Sequence, residues 1–141
     1  MKNNIALRTI LVLIGAVIML MGVNVGAGGM RTLGWQISPD FITIKDAITF
    51  GVQDNHIRFI GGVWFGVGAA FLIGGVILER MRGTLIVLCG IIAVAGLFRL
   101  SALDMDVIFS ADIAPSLALE LIAFPLLAYW LSKSGQKSGQ K

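Results

Sequence analysis

Four polar side chains stand inside stretches that are otherwise almost wholly apolar: Asn24, Arg58, Arg99 and Glu120. A carboxylate beside guanidinium groups can do three kinds of chemistry. It can move a proton as an acid or base. It can frame a site in which the arginine donors hold an anion or a polar head group. It can also lock helices together as an ion pair. Catalysis needs more groups than these, and the chain offers few. His56 is the lone histidine and Cys89 the lone cysteine. One histidine at the edge of an apolar run provides no serine–histidine–acid set, and one cysteine provides no intrachain disulfide or cysteine cage. Asp104, Asp106 and Asp112 lack the spacing of an EF-hand. Gly26, Gly28 and Gly29 lack the strand before and the Lys-Ser/Thr after that a phosphate loop needs. No catalytic residue, metal ligand or cofactor is expected, and the chain reads as non-enzymatic.

The elements that must position these side chains follow from composition. The 141 residues are 57% hydrophobic and 13% charged, and the mean hydropathy is +0.90. A water-soluble domain carries about twice that share of charge. Four apolar runs stand out, at about 5–29, 57–78, 84–103 and 115–131. Each has roughly the 17–25 residues that a transmembrane helix requires. Lipid leaves backbone groups unsatisfied outside a helix or a closed barrel, and the runs do not alternate in polarity as barrel strands do. The fold class is therefore all-α: a four-transmembrane-helix bundle over residues 1–132, followed by a flexible basic tail at 133–141. The first run has the basic front of a secretory signal but is long for one, and it is read as an uncleaved helix.

The connections set the orientation. Asp40 to Phe50 has the apolar spacing of a short amphipathic helix in the first outer loop. Glu79 to Gly83 reads as a tight turn, and Asp104 to Ala114 as a solvated acidic loop. Lys2, Arg8, Arg80, Arg82, Lys133, Lys137 and Lys141 fall on one side, and only Arg31 and Lys45 on the other. That bias predicts both termini in the cytoplasm.

At ~1.5 Å per helical residue, Asn24, Arg99 and Glu120 lie some 20–24 Å up from the cytoplasmic side, and Arg58 opens the second helix at the outer boundary. Charges at that depth are costly unless they face inward and pair. Glu120 is expected between Arg99 and Arg58 with Asn24 nearby, and Asp54, His56 and Asp104 form a watery rim. Gly62 and Gly66 form a small-xxx-small pair beside Arg58. Gly74-Gly75 and Gly22 with Gly26 are left to dock another helix. Pro125 bends the fourth helix a turn beyond Glu120.

The stretch Asn55 to Gly68, with Gly96-Leu97-Phe98-Arg99-Leu100 and Glu120 followed by Pro125, resembles a small bacterial four-helix membrane family of unknown function. That family is similar to the DoxX-like group. The resemblance implies a multi-pass protein of the bacterial inner membrane and no established activity. The cysteine pair of redox-linked DoxX relatives is absent from this sequence. Two functional expectations result. One is a structural or accessory subunit of a homo-oligomer or larger membrane complex, with the lipid bilayer and not nucleic acid as its surroundings. The other is a small-molecule, lipid or quinone binding or transport protein, with Arg58, Arg99, Glu120 and Asn24 as an outward-facing pocket.

Overall fold

The computed structural model describes residues 4–32 and 43–136. The elements are α1 (Ile5–Gly28), a 3-10 turn (Gly29–Thr32), α2 (Ala47–Val76), α3 (Leu78–Arg99), a second 3-10 turn (Leu100–Ala102), α4 (Met105–Ile108), α5 (Ala114–Ala118), a π-helical turn (Leu119–Ala123) and α6 (Phe124–Gln136). No strand occurs among the described residues. Four helical stretches, Ile5–Arg31, Ala47–Val76, Leu78–Ala102 and Ala114–Gly135, are long and apolar enough to cross a membrane. The chain divides into two compact units, Arg8–Val76 and Ile77–Lys141 with Met1–Leu7.

Three boundaries differ from the sequence reading. Phe41 and Ile42 of the expected amphipathic helix lie outside the described residues, whereas Ala47 to Phe50 form the first turn of α2 rather than a separate element. Asp46 starts that helix. Its carboxylate accepts from the Ile48 and Thr49 amides at 2.9 and 3.4 Å and from the Thr49 hydroxyl at 2.7 Å, so the first orphan donors are satisfied. The Thr49 hydroxyl and these amides hold the Asp46 carboxyl below its ordinary pKa. The break before α3 falls at Ile77, and Glu79 to Gly83 belong to α3 rather than to a turn. Glu79 there lies in the first turn, where the helix dipole favours an anion. Finally, α6 runs through Lys133 to Gln136, into the segment read as a tail; residues 137–141 lie outside the described residues.

In the first unit α1 and α2 pack antiparallel through a seven-residue ladder. Arg8, Gly15, Gly22 and Gly29 on one side face Gly75, Gly68, Gly61 and Asp54 on the other. A Cβ on Gly15 would stand 2.7 Å from the Gly68 carbonyl oxygen, one on Gly22 2.8 Å from that of Gly61, and one on Gly75 2.9 Å from that of Arg8. Backbone therefore touches backbone, with no room for a side chain. A strict heptad of contacts gives the shallow left-handed crossing of coiled coils. The expected Gly62–Gly66 pair is not in this contact: a Cβ on either meets nothing within 4 Å. Gly22, Gly26 and Gly75, expected on a free face, are instead inside the α1–α2 contact.

The second unit uses side chains for the same purpose. Leu78, Leu85, Cys89, Ile92 and Gly96 are the buried residues of α3. Their steps of three, four or seven trace a coiled-coil-like seam. Leu117, Glu120, Leu127 and Leu131 are the buried residues of the fourth span.

Substitution separates the two glycine sets. Gly22→Leu and Gly68→Leu should each lower the thermal midpoint strongly, since overpacking costs about 1–3 kcal/mol or more. Gly62→Leu, where a Cβ meets nothing within 4 Å, should lower it far less. A detergent melting series checks this, and equal midpoints for all three would contradict the ladder.

Candidate functional site

The residues expected to cluster resolve into two local arrangements, one in each unit. In the second unit Arg99 closes α3 and meets Glu120 in the π-helical turn. Arg99 Nε donates to Glu120 Oε2 at 2.8 Å and Nη2 donates to Oε1 at 3.0 Å. The geometry is the two-pronged guanidinium–carboxylate fork. The Glu120 side chain is 8% exposed and that of Arg99 39%. The carboxylate is thus buried at the seam while one edge of the guanidinium is open.

Local sequence explains how a glutamate reaches this place. Gly96 stands one turn before Arg99, and a Cβ on it would come 2.8 Å from the Glu120 Cβ. Glycine therefore makes the space that the carboxylate side chain fills. On the other side, Pro125 has no N–H to donate and its ring crowds the turn before it. The chain answers with the π turn Leu119–Ala123, in which the Phe124 amide donates back to the Leu119 carbonyl. The bend expected at Pro125 takes this form, a widened turn that contains Glu120. Such single π turns often occur at functional sites.

In the first unit Arg58 has a different partner. Its Nε donates to Asp54 Oδ2 at 2.7 Å, one helical turn away. Its Nη1 donates to the carbonyls of Gly26, at 3.4 Å, and Ala27 at the C-terminal end of α1. Asp54 Oδ1 in turn accepts from the Met30 amide at 2.8 Å. Asp54, expected at the rim, is therefore the hinge of this arrangement. It satisfies the turn after α1, where Gly29 has φ +63° and leaves room for the carboxylate. Both carboxylate oxygens of Glu120 go to Arg99, and Arg58 is held by Asp54 and the helix end. Asn24 lies half-buried on α1, and His56 is exposed on α2. Asp104 caps α4 by accepting from the Val107 amide at 3.2 Å.

Two further arginines, read from sequence only as topology markers, do similar work. Arg8 Nη1 donates to the carbonyls of Gly75 and Val76 at 3.2 and 2.6 Å, the end of α2. Arg82 Nη1 donates to the Leu131 carbonyl at 3.1 Å and to the Ser134 hydroxyl near the end of α6, and its Nη2 donates to Glu79 at 2.7 Å. Arginine at the last carbonyls of a helix is favourable both as hydrogen bond and against the dipole. The sequence signal was present in part: Arg8 and Arg58 each precede a glycine of the heptad ladder by seven or three residues. Among the described residues no group of three His, Cys, Asp or Glu side chains converges as a metal site would require.

The fold and these contacts define a chain with four helices suited to span a membrane, whose polar groups fasten helix ends. Residues 6–131 match the family described as "Domain of unknown function (DUF4345)", and the chain belongs to that family. No curated protein and no solved structure matches it.

Arg99→Ala strands the buried Glu120 carboxylate and should destabilise the fold by about 3–5 kcal/mol, whereas Glu120→Ala leaves an arginine with an edge already open and should cost less. The double variant Arg99→Leu/Glu120→Leu should recover most of the Arg99→Ala loss. A double-mutant cycle on thermal midpoints in detergent measures it, and additive losses would show that the two side chains do not act as a pair.

Proposed function

We propose that the chain is a non-catalytic, multi-pass protein of the bacterial inner membrane that works as a structural or accessory subunit, assembled with copies of itself or with a larger membrane complex. One observation carries this reading: Arg8, Arg58, Arg82 and Arg99 all spend donors on carboxylates or helix-end carbonyls within the fold. Charges used in this way fix helix ends and register; they are not assembled around a reacting group. The exposed Gly62 and Gly66 on α2, with open space over both, give a face at which another helix can come close. The bias of lysine and arginine supports both termini in the cytoplasm. The resemblance to the DoxX-like group agrees with a small four-helix membrane protein.

A second reading has its own observation. Arg99 uses Nε and Nη2 on Glu120, and its side chain keeps 39% exposure at the end of a span. An arginine oriented by a buried carboxylate suits a phosphate, a carboxylate or a quinone oxygen.

Native mass spectrometry after gentle extraction from the host membrane tests both. A fixed multimer or a reproducible second polypeptide is expected, and Gly62→Leu/Gly66→Leu should release a monomer that is still helical by circular dichroism. A lone monomer would overturn the subunit reading. A small adduct that disappears in Arg99→Lys, with the thermal midpoint retained, would support the second.

A further inference from the structure

The connection between α3 and the fourth span carries more apolar surface than a solvated loop should. Leu103 and Phe109 are 79% and 72% exposed, and Met105 and Val107 between them are also exposed. Ile108 alone of this stretch is buried. Leu103 also has φ 54°, the left-handed region that favours glycine. A branched side chain is thus held in an unfavourable backbone state and pointed outward.

The backbone here is prepared for a place poor in water. The Ile108, Phe109, Ser110, Ile113 and Ala114 amides donate to the carbonyls of Asp104, Met105, Val107, Ser110 and Ser110 in turn. The Val107 amide goes to the Asp104 carboxylate, and the Ser110 hydroxyl donates back to the Val107 carbonyl. Four of the seven amides of Leu103–Phe109, those of Leu103, Val107, Ile108 and Phe109, have a partner nearby in the chain, which lowers the cost of leaving water. The segment also joins the ends of two stretches suited to span a bilayer, Leu78–Ala102 and Ala114–Gly135. The apolar surface runs on from Val94, Leu97 and Phe98, all exposed near the end of α3.

We infer that Leu103–Phe109 is an interfacial element, seated in the lipid headgroup layer with Leu103 and with Met105 and Phe109, which share one face of the helical turn, against the acyl boundary. The occupant of this surface is the bilayer itself. Contact is apolar, since the nearby charges are Asp104, Asp106 and Asp112 and no lysine or arginine lies in the segment. Placing the exposed side chains in lipid recovers what the left-handed Leu103 backbone gives up. Binding at the boundary scales with the apolar area buried there. The inference rests on the reading of the chain as membrane-spanning.

The lone cysteine makes the test direct. In a Cys89→Ala background, single nitroxides are placed by Met105→Cys and Phe109→Cys, and the full chain is reconstituted in phosphatidylcholine vesicles. Val94→Cys, exposed on α3, is the lipid reference, and Ala111→Cys, exposed in the following turn, the water reference. Accessibility to oxygen relative to a water-soluble nickel chelate should be severalfold higher at 105 and 109 than at 111, and should approach that at 94. Ratios equal to that at 111 would overturn the proposal. So would low accessibility to both reagents, which would mean a protein cover instead of lipid. A water-like value at 94 would sink the membrane-spanning reading itself, and is distinguishable from either.

Discussion

Two helices in lipid gain little from hiding apolar side chains from each other, because the lipid tails are as apolar as they are. What remains is close packing, and close packing is limited by what stands between the backbones. The ladder of Gly15, Gly22, Gly61, Gly68 and Gly75 removes that obstacle at five positions. Everything in the first unit depends on it. Dispersion falls off steeply with a gap of a fraction of an ångström, so one added methyl group spoils contacts along several turns. The same approach sets where the helix ends lie. Only with the backbones touching do Arg8 and Arg58 reach the last carbonyls of the opposite helix, each closing one end of the pair.

The arginines then answer the problem that helix ends create. The last carbonyls of a helix have no donor within it, and at a membrane boundary water satisfies them only in part. A guanidinium provides several donors from a planar, always charged group, and its positive charge complements the negative end of the helix dipole. Arg8 serves α2, Arg58 serves α1 and Arg82 serves α6. Arg58 and Arg82 are also tied to a carboxylate, Asp54 and Glu79 respectively. The lysine and arginine bias that orients a membrane protein is therefore, in this chain, partly a set of structural clamps.

The sequence made the spans legible because span length and low charge are set by the bilayer and show in any window of about 20 residues. It made the Arg99–Glu120 pair legible as well: Gly96 and Arg99 share one helix face, and a buried glutamate must find a cation. Finer matters were hidden for identifiable reasons. Gly62 and Gly66 attract attention as a four-residue pair, yet the contact uses the seven-residue set Gly61, Gly68 and Gly75, one residue out of step. An i+4 pair and an i+7 series of glycines are both compatible with helix packing, and only the crossing geometry chooses between them. Asp54 lies at the rim by depth, but Arg58, one helical turn on, pairs with it at 2.7 Å. Glu79 to Gly83 looked like a turn because it is polar. Glutamate and arginine are good helix formers, and the break fell at Ile77 instead.

The place of Arg99 and Glu120 in their seam bears on why a charged pair is kept there. Along α3 the buried residues Leu78, Leu85, Cys89 and Ile92 are all apolar and modest in size. A seam of that kind packs nearly as well after a slip of one heptad step, in lipid above all, where no solvent penalises the exposed remainder. An ion pair does not slip. Moving either helix by one step would strand a carboxylate that is 8% exposed, and no neighbouring position offers a second cation. Gly96 sharpens the choice further, since only opposite that glycine is there room for the Glu120 side chain. The pair adds little net stability over apolar residues of the same shape, but it makes one register far better than its neighbours. The π turn forced by Pro125 then places the glutamate at the level of that glycine. Chemistry at Arg99, if a head group meets its exposed edge, would use an arginine already oriented for structural reasons.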